Sequence, residues 1–453
     1  MLYHSHAWRY SRVARACQHA GFLFGCVTIL LAAGCNRANR PVSVEQAESY
    51  GELPGLQATH DEALQKEFAY VTAELGTPFQ LDRLRTEGRS EDPFTDSRNA
   101  AAAMRQIFAG QDAERLNEHA RRLLPETFVF DDIKLQRMRE FLASHKHDQL
   151  RFRAALLREH CDFGLRLSDG FFANLDFVQE VEFGVLLETM VVADLLERDK
   201  PDRAIEALGF MFRLVGLLSQ EKHIVPRITA VHLRHRVLRV VAAVARHGQA
   251  SDATLEQLFE LLMSQLSRWP DDADAWIGDR AIGLQSYEMI REGHLLSLVS
   301  DKEVERLKKM GVVDTLIENL DADELFYMRT MRQLIEVSNR PYYRRLTKLQ
   351  ELHESVEAAR KTARFPVVAI EFLLPDYRSG QQLQAQDRAR CEAWAVVLAA
   401  RLGRERQPYT TNPLTGKPYE VRVGTDGVEL KNVDPQDADS HIQIAREPLS
   451  VLR

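Results

Sequence analysis

From about residue 56 to residue 402 the apolar residues recur at spacings of three and four, and no stretch of that span holds the strict alternation of a half-buried strand. A chain patterned this way folds by packing helices on helices. The period predicts helices over 59–75, 97–108, 112–123, 131–144, 146–166, 175–198, 201–220, 226–247, 252–268, 272–291, 301–309, 321–338, 341–363 and 380–402. Punctuation agrees with several of these. Pro201 and Pro226 suit a first helical turn, Gly248 suits a helix end, and Ser251 or Asp252 suits the next cap. Connections between 175 and 291 are short, so consecutive helices there are expected to run antiparallel. No fixed period repeats, so the array is not a named repeat.

The stretch 175–198 differs from its neighbours. Phe177, Val178, Val181, Phe183, Val185, Leu186, Met190, Val192 and Leu196 point in nearly every direction on a helical wheel, which predicts a helix central to the fold. The same helix carries Glu180, Glu182, Glu188 and Asp194. After residue 403 the pattern changes. Pro408, Pro413, Gly416 and Pro418 break helix, then Tyr419, Val421 and Val423 alternate with polar residues up to Gly424-Thr425-Asp426-Gly427. That reads as a hairpin over 419–431. The expected architecture is mainly α: an antiparallel helical array, solenoid-like or an irregular bundle, over 56–375, a C-terminal helix with a small β-hairpin over 376–431, and a loose polar tail over 432–453.

At the other end, Arg9, Arg12 and Arg15 precede an apolar run from Gly21 to Ala33, too short for a stable membrane span and shaped like a secretory leader. Its end, Leu31-Ala32-Ala33-Gly34-Cys35, resembles a bacterial lipobox. That resemblance implies removal of 1–34, lipidation of Cys35 and a polar tether over 35–55. Asn36, where an Asp would retain the protein at an inner membrane, implies the outer membrane in a two-membrane cell. The formal charge is −7, and the leader holds three Arg and no acid, so the remainder is more acidic still. An acidic balance excludes a general nucleic-acid binder. No cofactor is expected from any motif. Only Cys161 and Cys391 remain for the folded body; export permits a disulfide between them, and two buried thiols are the plainer expectation.

Three stretches resemble a family of exported, mostly helical bacterial proteins of unassigned function. One runs from Ala204-Ile205-Glu206-Ala207-Leu208 to Arg280-Ala281-Ile282-Gly283-Leu284 and Gly293. The second is Phe372-Leu373-Leu374-Pro375, and the third Asn412-Pro413-Leu414-Thr415-Gly416-Lys417-Pro418-Tyr419. In the family the third element reads Asp-Pro-Phe-Ser/Thr-Gly-Lys-Pro-Leu and opens a hairpin like that of pseudopilins; here Asn412 replaces the Asp. The resemblance implies fold and location and brings no active site.

Chemistry is sparse. Glu182 and Glu188 are the best acid/base candidates, as a glycan-cleaving pair in a helical cleft. The structural alternative is ion pairing, because a buried carboxylate needs a partner. Arg234 lies on its helix between Leu238 and Val241, inside an apolar face, and is expected to pair with Glu182, Glu188 or Asp194. His145, His147, His160 and Cys161 are weak metal candidates whose spacing matches no ligand pattern. His232, His235, Arg236 and Arg239 share one helix face, read as solvated. Neither a nucleophile elbow nor a zinc-protease motif occurs. The expected role is a lipid-anchored envelope scaffold or binding protein with a protein partner; the alternative is a glycan- or peptidoglycan-acting hydrolase using Glu182 and Glu188.

Overall fold

The computed structural model describes residues 93–291 and 318–445, except 126–127, 168–169, 171–172, 363–365, 375, 432 and 435–440, with scattered positions in 62–70 and 305–316. The lipobox-like segment, Cys35 and the tether lie outside the described residues, as do most of the helices expected at 59–75 and 301–309.

The described chain is mainly helical and ends in a small antiparallel sheet. The helices are α1 (Ala100–Arg105), α2 (Ala113–Leu123), α3 (Asp132–Ser144), α4 (Lys146–Ala155), α5 (Asp176–Glu197), α6 (Pro201–Gln220), α7 (Ile224–Ala245), α8 (Asp252–Ser267), α9 (Asp272–Arg291), α10 (Leu320–Ser338), α11 (Tyr342–Arg360) and α12 (Tyr377–Arg401). Asn99, Asp112, Asp131 and Ser251 accept backbone N–H groups at the starts of α1, α2, α3 and α8, which satisfies donors the helices leave orphaned.

Helix α5 is central, as its wheel predicted. Phe183, Val185, Leu186, Leu187 and Met190 are all inaccessible to solvent. Helices α2 and α3 cover it on one side, α6 and α7 on another. The expected helix over 146–166 stops at Ala155, because the chain then runs extended past Asn99. The buried Asn99 side chain donates to Asp162 O at 2.8 Å and accepts from Asp162 N at 2.9 Å.

Two hydrophobic cores form. The first joins α1–α8 with α12 and the sheet; the second joins α9–α11 with the segment 366–377. Helix α12 and the sheet therefore do not stand apart from 56–375. Ala393, Ala395, Val396, Val397 and Leu398 are fully buried, so α12 needs cover on both sides. It finds α7 and α8 on one and the strands on the other. A π-helical turn, Ala369–Leu373, precedes α12. The buried Asp323 carboxylate anchors it, accepting from Val368 N at 2.8 Å and Ala369 N at 2.9 Å.

The sheet has the order β1-β2-β3: β1 is Glu420–Gly424, β2 Gly427–Lys431 and β3 Ile442–Ala445. The hairpin falls where the alternation put it. The third strand corrects the expectation of a loose tail: Ile442 and Ile444 are buried against the core while Gln443 faces out. Upstream, Asn412 holds the turn. Its side chain donates to Val433 O at 2.7 Å and accepts from Leu414 N at 2.8 Å.

Candidate functional site

The four acids of α5 sit in an apolar helix, so each faces a desolvation cost unless something compensates it. Three are compensated by arginine. Glu182 is gripped through both oxygens by Arg121 of α2. Glu188, 2% exposed, is gripped through both oxygens by Arg153 of α4 at 2.7 Å, and Gln149 donates to it at 3.2 Å. Asp194 binds Arg139 of α3 at 2.6 Å and Arg198 at 2.8 Å. Fork-to-fork contacts of this kind occupy the lone pairs that a general base needs.

Spacing explains why three different helices supply these partners. Residues 182, 188 and 194 lie six apart, and six residues at 3.6 per turn rotate a side chain by about 120° from the last. The three carboxylates thus radiate around α5 toward separate neighbours. Glu182 and Glu188 do not converge on one cleft, which removes the geometry of a glycosidase pair.

Arg234 is buried, 3% exposed, and bonded to a carboxylate, but not to one on α5. Its partner is Asp387 of α12, with a second bond to Ser219 of α6, and its guanidinium lies 4.5 Å over the Trp269 ring. Glu182, Glu188 and Asp194 already have their own arginines, and α12 fills the side of α7 that carries Arg234. Burial pushes the Asp387 carboxyl up to about 6 against the opposing pull of Arg234. Beside this pair, Arg345 binds Asp272 at 2.6 Å, contacts Gln381, and donates to the Arg340 carbonyl. Gln384 accepts from Trp276 Nε1 at 3.1 Å. A buried polar belt therefore runs along α12 between the two cores, and nothing in the residue pattern marked Asp387, Gln381 or Gln384 for it.

The weak metal candidates do not assemble. His145 stacks on Phe141 at 4.2 Å at the α3–α4 junction. His147 is exposed, and His160 lies 3.6 Å from Asp96. Among the described residues no group of three His, Cys, Asp or Glu could hold a metal ion. Cys161 and Cys391 are both free thiols; burial raises the Cys161 thiol to about 12.

Three acids whose carboxyls burial raises have no ion pair or side-chain hydrogen bond among the described residues. They are Glu180 on α5, Glu221 in the α6–α7 connection and Asp279 on α9. Burial raises each to about 7; Asp162 pushes Glu221 further up, and Arg105 draws Glu180 down. They lie on three elements, and only Glu180 carried a sequence signal, as one acid among the four of α5.

Comparison with protein-family models, with curated proteins and with solved structures returns no match. No described helix is long and apolar enough to cross a membrane.

Proposed function

We propose that this chain is a lipid-anchored, extracytoplasmic helical scaffold that binds a protein partner through the surface of α5–α9. The carrying observation is the neutralisation of Glu182 and Glu188 by Arg121 and Arg153, on directions about 120° apart around one helix. It withdraws the residues that a glycan- or peptidoglycan-acting hydrolase would use. Support for binding is architectural: packed helix pairs present an extended surface to a partner. Support for the anchor is the lipobox-like end of the leader, with Cys35 as the first mature residue, and Asn36 favours the outer membrane if the cell has two membranes. The resemblance to exported helical bacterial proteins points the same way.

Two measurements test the reading. Cys35→Ala is expected to move the protein out of the membrane fraction; a variant that still fractionates with membranes refutes the anchor. Glu182→Gln and Glu188→Gln are expected to lower stability and to abolish no activity. Hydrolysis of cell-wall glycan by the purified protein, lost in either variant with the fold intact, overturns the scaffold in favour of the enzyme.

A further inference from the structure

Helix α4 buries one face and leaves the other bare. Gln149, Phe152 and Ala155 are buried, and the helix packs on α1 and α5. On the opposite face, positions 147, 150, 154 and 157 recur at spacings of three and four. His147 and Ala154 are exposed, Leu150 is 52% exposed and Leu157 72%. Leu157 continues the last turn, since its N–H donates to Ala154 O at 3.2 Å. The two leucines therefore stand about 11 Å apart on one crest. A lone exposed leucine is ordinary, but these two are flanked by cations. Steps of seven put Lys146 and Arg153 along one side of the crest and Arg151 and Arg158 along the other. The one acid between 146 and 158 is Asp148, which the same period turns away from the crest. Arg153 is held by Glu188 at 2.7 Å and Glu206 at 3.2 Å, and Arg158 donates to Asn99 O at 3.2 Å. Lys146 is exposed and Arg151 partly so. Just past the helix, the exposed Glu159 lies 3.7 Å from Arg98.

We propose that the outer face of α4 lies on an anionic phospholipid bilayer, with Leu150 and Leu157 at the headgroup–acyl boundary and the flanking cations among the phosphates; the inference rests on the anchored reading above. A leucine crest between rows of lysine and arginine is the composition of a helix that lies in a membrane interface. Charge excludes a second copy, because crest against crest sets basic rows against basic rows. Shape disfavours a protein: the anchors of a protein interface are desolvated in pockets, and a ridge carrying two leucines offers none. A fluid bilayer needs no pocket. Position agrees with charge and shape. The tether over 35–55 reaches about 25 Å, so the headgroups next to Cys35 are the surface that the body meets at high local concentration.

The test is fluorescence of the full-length chain carrying Leu150→Trp, reconstituted from detergent into vesicles with brominated acyl chains. Vesicles of phosphatidylcholine alone are compared with vesicles in which about a third of the lipid is phosphatidylglycerol. With phosphatidylglycerol present, the added indole is expected to shift to the blue and to be quenched about twofold or more, because a docked face sits about 5–10 Å into the boundary. The chain without the substitution supplies the baseline. Each cation at an anionic surface favours docking about fivefold. Lys146→Glu with Arg151→Glu, added to Leu150→Trp, is therefore expected to return quenching to the level of phosphatidylcholine alone, with the thermal midpoint kept. Equal quenching in the two vesicles, or quenching that survives this charge reversal, refutes the proposal. Flotation of the same samples separates the face from the anchor. A chain that floats with both vesicles while its indole stays unquenched overturns the docked face and keeps the anchor. One that floats only with phosphatidylglycerol, and is quenched there, keeps the face and removes the anchor; one that floats with neither overturns both. An indole that bromine leaves bright and an acidic protein shields overturns the lipid surface in favour of a protein partner.

Discussion

Replacing Arg234 by Met isolates the energetics of the joint between α7 and α12. The variant leaves Asp387, whose side chain is 3% exposed, without its cation in a site built for a pair. Removing one member of a buried ion pair costs about 3–5 kcal/mol, because the other charge stays desolvated and uncompensated. The contact with Ser219 and the guanidinium over Trp269 are lost as well. For a chain of this length the loss moves the thermal midpoint by only about 3–5 °C, so chemical denaturation is the better assay. The double variant Arg234→Met with Asp387→Leu removes both charges. It is expected to fall within about 1–2 kcal/mol of the wild type, far below the sum of the two single costs. The pH dependence adds a second signature. Asp387 without Arg234 takes a proton more readily, so the cost of Arg234→Met is smaller at pH 5 than at pH 8. A single variant within about 1 kcal/mol of the wild type, or single costs that simply add in the double, would falsify this account of the joint.

Further outcomes are expected of other sites. Gly278→Ala places a Cβ 1.5 Å from the Lys222 carbonyl oxygen, a backbone atom that cannot swing aside, so the soluble yield and the urea midpoint should both fall; an unchanged midpoint would show that the α6–α7 connection moves freely. Asn412→Asp replaces the donor to Val433 O with an acceptor, leaving two oxygens facing each other in a buried turn. It should cost about 1–3 kcal/mol in denaturant titrations, and a neutral result would exclude Asn412 as the clasp of the hairpin. Asp279 is raised to about 7 in the fold from an ordinary value of 3.8, so the native state holds its proton more tightly. The sign is then opposite to that of a salt-bridged acid: the contribution is present below about 4 and is lost as pH rises through 7, at no more than about 1.4 kcal/mol per pH unit. Asp279→Asn should flatten the fall in stability between about pH 4.5 and 7 relative to the wild type. Comparing slopes removes the opposite effect of His223, which burial lowers to about 4.

The helices were readable because one signal, apolar period, acts locally and α5 to α9 obey it end to end. Helix α6 spans 201–220 and α9 spans 272–291, as the pattern set them. What was lost is non-local or short. Helix α4 ends at Ala155 because of the Asn99 clasp, whose members are 63 residues apart. Strand β3 is four residues long, below the length at which alternation separates from chance. Arg234 illustrates both sides. Its burial followed from its place between Leu238 and Val241. Its partner did not, since Asp387 lies 153 positions along the chain in a helix whose apolar residues gave no reason to expect a charge facing inward. The failure of the Glu182–Glu188 pair, by contrast, was legible: six residues on a helix always turn about 120°, and that rotation alone denies the two acids a common cleft.

The same rotation accounts for how α5 can be both the most apolar helix and the one richest in buried acid. A central helix has a neighbour in every direction, so an acid pointing any way meets another helix and not water. Each such acid must be matched by that neighbour, and α2, α3 and α4 each match one, with Arg121, Arg139 and Arg153. Reversing that logic separates structural acids from others. Glu180 lies on the same helix, two residues before Glu182, and has no matching arginine bond. A residue kept buried, ionisable and unmatched at a position where its neighbours show that matching is available is not explained by packing. Replacing Glu182 or Glu188 tests the framework; replacing Glu180 by Gln relieves a desolvated charge and should leave stability at neutral pH equal or higher. A fall in stability instead would mean that Glu180 makes a contact its surroundings do not reveal.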